Sequence, residues 1–412
     1  MKETTANQDG YQRWFEIVQD SYQEIREMVQ LQMRGAALKL IKGLFQEEME
    51  ELCGKPFSRK KEQHCHRGGS DKGSVVLQGQ RVGVDRPRAK NAGQEVQIKT
   101  YEALQGYDLL CDRVMKHMLA GVSSRNYDGL LEELEGGLGV KKSLVSKAFV
   151  KGSRRALEEI NGKDLSGQEW IAIMIDGIGL GKRMVVAALG ITTAGKKQIL
   201  GLREGDTENS EVCKDLLSNL VERGLSSQEI FLFVLDGSKA LKKAVKKVFG
   251  ERFPIQRCVR HKERNVLEYL PRNCHGEFRR RWKMIHGSIN YQRAQQQYDQ
   301  LRCWLSRINQ AALESLEEAE METLTVIRLK TPGLLRKTLL STNPLESVFS
   351  GVRSQTGRVK NWRTGSDQAS RWAAATLVDT QKKFRLIRGY REIPALMSEL
   401  KNLGLHMQAQ VA

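Results

Sequence analysis

A chain of 412 residues, 40% hydrophobic and 28% charged, is too long for one ordinary core and suits two to four packed domains. It contains no run of about 18 apolar residues, which argues against a membrane-spanning helix, and its opening MKETTANQDGYQRW lacks the apolar stretch of a signal peptide. Seven scattered cysteines, an odd number, read as a reduced cytoplasmic protein and not a disulfide scaffold.

The formal net charge of +18 is unevenly spread. Residues 1–50 carry 6 Lys+Arg against 9 Asp+Glu, whereas 51–100 and 251–300 each carry 11 against 5, and 351–412 carry 11 against 4. Three separated basic blocks suit an extended polyanion touched at several places, and nucleic acid is the expected partner, the alternative being a solvated basic surface.

In chain order, residues 1–56 read as a helical region, since 12–53 have few breakers and end at Gly54 and Pro56. Within 57–100, GSVVLQGQRVGVDRPRAK alternates apolar and polar residues between glycines and a proline, which predicts a short β-hairpin. Its outward residues Arg81, Arg86, Arg88 and Lys90 suit a phosphate backbone. The triplet His64-Cys65-His66 reads as surface loop. Residues 101–165 return to helix, with Ser123 or Ser124 as a cap and a stripe through Leu130, Leu131 and Leu134. The glycine turn and basic, serine-rich segment EGGLGVKKSLVSKAFVKGSRRALEEI then fit a helix-turn-helix. In that reading Lys141, Lys142, Ser143, Ser146 and Lys147 face DNA; the alternative is a helical linker with a solvated face.

From 166 to 258 the pattern is mixed. WIAIMID, RMVVAALGITT and KKQILGLREG are strand-length apolar runs, followed by an amphipathic helix, a fourth strand EIFLFVLD, a helix, and a short fifth strand FPIQRC. This predicts a mixed α/β sheet. Residues 259–341 look like an all-helical insertion, 342–390 like basic closing helices, and 391–412 like a C-terminal tail.

The run DGIGLGK raises the question of a nucleotide loop. A dinucleotide fingerprint needs G-x-G-x-x-G before a helix, and a Walker loop needs Lys followed by Ser or Thr. Here the spacing is G-x-G-x-G, the following segment is strand-like, and Lys182 precedes Arg183. The glycines better suit a hairpin that turns sharply after Asp176, and no nucleotide cofactor is expected.

That leaves the acids. Asp176 ends the apolar run Ile171–Ile175, and Asp236 ends FLFVL in the same way, each followed by glycine. If the two strands are parallel neighbours, both carboxylates reach one sheet edge. They would repel unless a hard cation such as Mg²⁺ or Mn²⁺ lay between them. An Asp-Gly can also merely start a turn. A third acid is available in STNPLESVFSGVR: Thr342 or Asn343 caps, Pro344 suits the first turn, and Leu345, Val348, Phe349 and Val352 form a packing face. Glu346 is the single acid between Glu322 and Asp367. In the basic segment after it, Arg353, Arg358, Lys360, Trp362 and Arg363 are candidate DNA contacts, and Trp372, beside an alanine run, reads as helix core.

These residues carry a family resemblance. The block from MIDGIGLGKRMVV to LLSNLVERGL, then FVLDGSKALKKAVKKVFG, PIQRCVRHKERNV and TNPLESVFSGVR, resembles in order and spacing the mutator-type transposases of bacterial insertion sequences, over roughly residues 57–390. The resemblance implies an RNase H-like mixed-sheet catalytic core with an all-α insertion, preceded by helical and β-hairpin DNA-binding regions. It implies a DDE triad at Asp176, Asp236 and Glu346, which would hold two Mg²⁺ or Mn²⁺ ions. The family's C-x-x-H signature falls on Cys258 and His261, expected as a structural pair linking insertion to core. Zinc there would need further ligands, and the adjacent Cys274 and His275 chelate one ion poorly.

The expected function is then binding of terminal inverted repeats in double-stranded DNA, cleavage at the element ends, and joining of 3′-hydroxyls to target DNA by two-metal phosphoryl transfer. The protein would act in the cytoplasm at the nucleoid, as a homodimer or higher multimer at synapsed ends. The rival readings are an RNase H-like nuclease without strand transfer and a non-catalytic DNA-binding descendant of a transposase.

Overall fold

The computed structural model describes residues 28, 32, 35–57, 65–77, 80–104, 107–123, 137–138, 142–205, 209–226, 228–363 and 365–411. They form two compact units, one through Lys151 and one from Gly152.

In the first unit, helix α1 (35–53) buries Ile41, Phe45, Met49 and Cys53. Spaced by four, these lie on one face. Strands β1 (Cys65–Leu77) and β2 (Gln80–Asn91) form an antiparallel hairpin, and β3 (Gln94–Val96) pairs with β2. Val75, Val84 and Ala89 meet the α1 face together with Ile98 and Tyr101. The Glu48 carboxylate accepts the N–H groups of Lys99 at 2.7 Å and Thr100 at 2.9 Å, so α1 caps the start of α2 (Lys99–Leu104). Helix α3 (Tyr107–Leu119) and the two-residue strand β4 (Gly137–Leu138), paired with β2, follow. Helix α4 (Lys142–Gly162) crosses the boundary between the units.

Two expectations change here. The hairpin is longer than the alternation suggested, because pairing continues past a bulge between Arg67 and Ser70 to Cys65 opposite Asn91. Cys65 and His66 are therefore strand residues and not surface loop, and the Cys65 Sγ lies 2.9 Å from the Cys53 Sγ. Of the expected helix-turn-helix, the stripe through Leu130, Leu131 and Leu134 lies outside the described residues, and Gly137–Leu138 of the glycine segment pair with β2.

The second unit is built on a five-stranded sheet. Strands β5 (Trp170–Leu180), β6 (Arg183–Thr192) and β7 (Lys197–Gly205) are antiparallel; β8 (Leu232–Leu235) and β9 (Ile255–Arg257) join parallel to β5, giving the order β7-β6-β5-β8-β9. Helices α5 (Ser210–Glu222) and α6 (Lys239–Phe249) pack with Ile173, Ile175, Phe233 and Leu235 on one face. Phe231, Phe233, Phe249 and Phe253 cluster there with ring centroids 4.8–6.0 Å apart. The alternate residues Ala172, Met174, Leu232 and Val234 face a second core. By the period of two, Asp176 and Asp236 follow Met174 and Val234 onto that second face.

Residues 259–341 carry helices only: α7 (Val259–Glu268), α8 (His275–His286), α9 (Tyr291–Ile308), α10 (Gln310–Glu317), α11 (Thr325–Arg328) and α12 (Gly333–Leu339), with 3₁₀ turns between them. Phe278, Trp282 and Ile285 of α8 pack with Ala294, Tyr298, Leu301 and Leu305 of α9 at helical spacing. The insertion is bolted to β9: Gln256 donates to the Thr323 carbonyl at 3.0 Å and accepts from the Val326 N–H at 2.9 Å. Buried Arg257 and Lys262 share the Glu318 carboxylate, each at 2.7 Å. Helices α13 (Asn343–Thr356), α14 (Gln368–Gln381) and α15 (Ile393–Val411) close the unit. The expected C-terminal tail is thus largely helix α15, with Ile393, Leu396 and Leu400 buried in the second core.

The glycine run also differs from expectation. Strand β5 does not turn after Asp176 but stays hydrogen-bonded to β6 as far as Leu180 opposite Arg183. The turn is Gly181–Lys182, with Gly181 at φ 64°. A Cβ at Gly181 would collide with the Trp362 indole, so both the backbone and the space require glycine there.

Candidate active site

Asp176 and Asp236 emerge on neighbouring parallel strands, since Ile175 is opposite Leu235. The Asp176 carboxylate is 4% exposed and accepts the Gly177 N–H at 2.8 Å. Burial, and then the negative charge of Asp236, push it up to about 6, against a smaller pull from His261. Asp236 is half-buried and accepts the Ser238 N–H at 2.9 Å, while Ser238 caps α6 through Leu241. Gly237 between them adopts φ 124°, and a Cβ there would stand 2.6 Å from Arg257 Nε.

Glu346 comes from the first turn of α13. The expected cap at Thr342 is not made by its side chain. Instead the Thr342 N–H and hydroxyl both reach the buried Cys258 Sγ at 3.5 Å. The start of α7 is fixed from two further sides: the Cys258 N–H donates to the Leu235 carbonyl at 2.7 Å and the Val259 N–H to the Leu340 carbonyl at 2.9 Å. Cys258 thereby registers α7 against both the end of β8 and the entry to α13.

Three residues on, His261 lies on the same side of α7. Its Nε2 is 3.3 Å from Glu346 Oε1, and Arg264 lies 3.7 Å from the same oxygen. Donor atoms of Asp176, His261 and Glu346 all lie within 4.8 Å of one another. Asp236 flanks this group from the next strand without belonging to it. The neighbouring Cys258, followed by Asp176 and Glu346, pushes His261 up to about 9 despite its burial. Burial opposes ionisation of the Cys258 thiol, but the adjacent His261 outweighs it and lowers the thiol's pKa.

Two carboxylates and an imidazole in reach of one point, with a third carboxylate beside them, form a donor set that suits a divalent cation. Cys274 and His275 stand elsewhere, His275 within 2.9 Å of the Leu270 carbonyl. Sequence reasoning named His261 only as a structural signature; the signal for more was its i, i+3 spacing from Cys258 at a helix start. Arg264 gave no signal of its own.

The candidate DNA contacts are spread over both units. Arg86 is 3.1 Å and Arg88 3.2 Å from Glu95, and Arg88 also pairs with Asp71, so both are partly neutralised within the hairpin. Lys142, Ser146 and Lys147 are exposed on α4, whereas Lys141 and the side chain of Arg81 lie outside the described residues. Arg353, Lys360 and Arg363 are exposed. Arg358 lies over the Trp372 ring at 5.7 Å, Trp372 is buried core, and Trp362 is half-buried against Gly181. Among the described residues no helix is long and apolar enough to cross a membrane.

Residues 13–386 match the family described as Transposase, Mutator family. The chain is 28% identical over 268 residues to the transposase for insertion sequence element IS6120 of Mycolicibacterium smegmatis, covering 63% of this chain and 80% of that protein. It is 29% identical over 304 residues to the transposase for ISRM5 of Rhizobium meliloti (strain 1021), covering 70% and 72%. It is 26% identical over 282 residues to the transposase for IS256 in transposon Tn4001 of Staphylococcus aureus, covering 64% and 70%.

Proposed function

The chain belongs to the mutator family of transposases, and from that premise we propose that it cleaves and joins DNA at the ends of an insertion sequence with Asp176, Asp236 and Glu346 as its catalytic carboxylates. The observation that carries the reading is the convergence of Asp176 and Glu346, 170 residues apart, beside Asp236 at the end of the adjoining parallel strand. The strand order, three antiparallel strands followed by two parallel ones, supports the RNase H-like description of the core.

Two divalent ions, Mg²⁺ or Mn²⁺, held by these carboxylates would activate water or a 3′-hydroxyl and stabilise the leaving 3′-oxygen in an in-line displacement. The protein's own part is to present the acids. The sheet offers Asp176 and Asp236 on one face, and α13, packed in the core on that same face, delivers Glu346. His261 and the Gly177 N–H only partly compensate the charge on buried Asp176, and a bound cation would offset the remainder. Arg264 holds Glu346 toward the sheet, and His261 stands beside the same carboxylate oxygen. Lys142, Ser146 and Lys147 on α4, with Arg353, Lys360 and Arg363, are the cations and hydroxyls offered to terminal repeats and target DNA. Two copies would synapse the two ends.

The test is strand transfer by the full chain on DNA bearing the element's terminal inverted repeats, with Mn²⁺ or Mg²⁺. Asp176→Asn, Asp236→Asn and Glu346→Gln are each expected to reduce joining to background. Retained joining in any of the three removes that residue from the triad. Hydrolysis at the ends without joining would instead make the protein a nuclease.

A further inference from the structure

The C-x-x-H pair does more than tie the insertion to the sheet. His261 projects from α7 into the acid cluster, with Nε2 3.3 Å from Glu346 Oε1 and all donor atoms within 4.8 Å of one another. We propose that His261 is itself a metal ligand, so that the site bound by Asp176 and Glu346 has a nitrogen donor as well as carboxylate oxygens. This rests on the reading of those two acids as metal-holding groups.

Three features support ligation over a simple ion pair. Glu346 already has a guanidinium, Arg264, at 3.7 Å, so a second counter-charge is not needed to balance it. The ring turns Nε2 toward the carboxylates and keeps Nδ1 buried away from solvent, with the Cys258 side chain as its hydrogen-bonding neighbour. A ligating imidazole donates the proton of its far nitrogen to a neighbouring acceptor, and the Cys258 sulfur stands in that place. Finally, the anchoring is of the kind that fixes a ligand. Cys258 receives the Thr342 N–H and hydroxyl at 3.5 Å, and the Cys258 N–H is bonded to Leu235, the residue before Asp236. The same short segment therefore sets α7, the strand end and the entry to α13 in mutual register, and with them His261, Asp236 and Glu346.

The consequence is a metal preference. Mg²⁺ demands near-ideal octahedral oxygen coordination and keeps its waters, so a nitrogen donor adds less to it than to Mn²⁺, a first-row transition ion that can take imidazole. Losing the nitrogen should therefore weaken Mn²⁺ more than Mg²⁺.

The experiment uses the full chain loaded with Mn²⁺ and pulsed electron paramagnetic resonance, with and without ¹⁵N-histidine labelling. The expected result is a nitrogen coupling that shifts on labelling and disappears in His261→Gln. Calorimetric titration should show Mn²⁺ affinity falling about tenfold in that variant and Mg²⁺ affinity falling less. Absence of a histidine coupling in the wild-type chain, which needs no variant and no assumption about folding, overturns the proposal. So does a coupling that persists in His261→Gln. If Asp176→Asn and Glu346→Gln leave Mn²⁺ affinity unchanged, the metal-site reading fails as a whole. If those two abolish binding while no nitrogen coupling is found, only the role of His261 fails.

Discussion

Two buried titratable residues have opposite pH signatures. Asp176 is pushed up to about 6 from an ordinary 3.8, chiefly by burial. Folding therefore takes up a proton between about pH 4 and 6, and stability is lost as pH rises through that window. Asp176→Asn removes the titration. The variant is expected to gain on the wild type from pH 4 to 6, by about 3 kcal/mol at neutral pH. Urea unfolding of the metal-free chain measures this, and the same variant should lose strand transfer. His286 behaves in the reverse way. It is buried in α8 with its Nδ1–H donated to the Trp282 carbonyl at 2.9 Å and its ring edge-on to Trp282 at 4.3 Å. Burial lowers it to about 4, so the unfolded chain binds the proton first. The stability tied to His286 is complete above about pH 6.5 and is lost as pH falls toward 4, by up to about 3 kcal/mol. His286→Gln should flatten that part of the acid limb, and an unchanged limb would show that the ring is not buried in its neutral form.

At the scale of elements, the β5–β6 hairpin and the loop after α13 depend on one another. Gly181 turns the hairpin at φ 64° with no room for a Cβ beside Trp362. Gly181→Val is expected to destabilise by about 1–3 kcal/mol. Trp362→Ala in the same background should recover only the steric part of that loss, which thermal unfolding of the two variants separates. The opposite face of the sheet is held by aromatic packing. Phe233 is completely buried among Phe231, Phe249 and Phe253. Phe233→Ala should cost about 3–5 kcal/mol, measured by denaturant unfolding, because none of these rings can move into the space without leaving another void.

Over the whole molecule the excess of basic residues governs the encounter with DNA. Binding should weaken steeply with salt as neutralised phosphates release counterions. The double variant Lys142→Glu/Lys147→Glu should lower the slope of log affinity against log salt by about 0.9 for each phosphate that is no longer neutralised. It should leave Mn²⁺ affinity unchanged, since α4 carries none of the donor atoms. An unaltered slope would remove α4 from the DNA-binding surface.

Much of the framework was readable from local pattern alone. The apolar runs WIAIMI and FLFVL, each ending in Asp-Gly, already put Asp176 and Asp236 at one edge of any sheet in which those strands are parallel neighbours. The order of strands and helices from 166 to 258 follows from run lengths and periodicity, as does the all-helical character of 259–341. Other features depended on partners far away in the chain, which periodicity does not encode. Strand β5 outlasts its apolar run because β6 hydrogen-bonds to it as far as Leu180. Thr342 keeps the N-cap position of α13, but its side chain meets the Cys258 sulfur, 84 residues earlier, instead of capping the helix. His261 joins the acids because α7 is pinned at once to β8 and to the entry of α13. A sequence specifies which side chain each element offers; which offered groups meet is decided by how those elements pack.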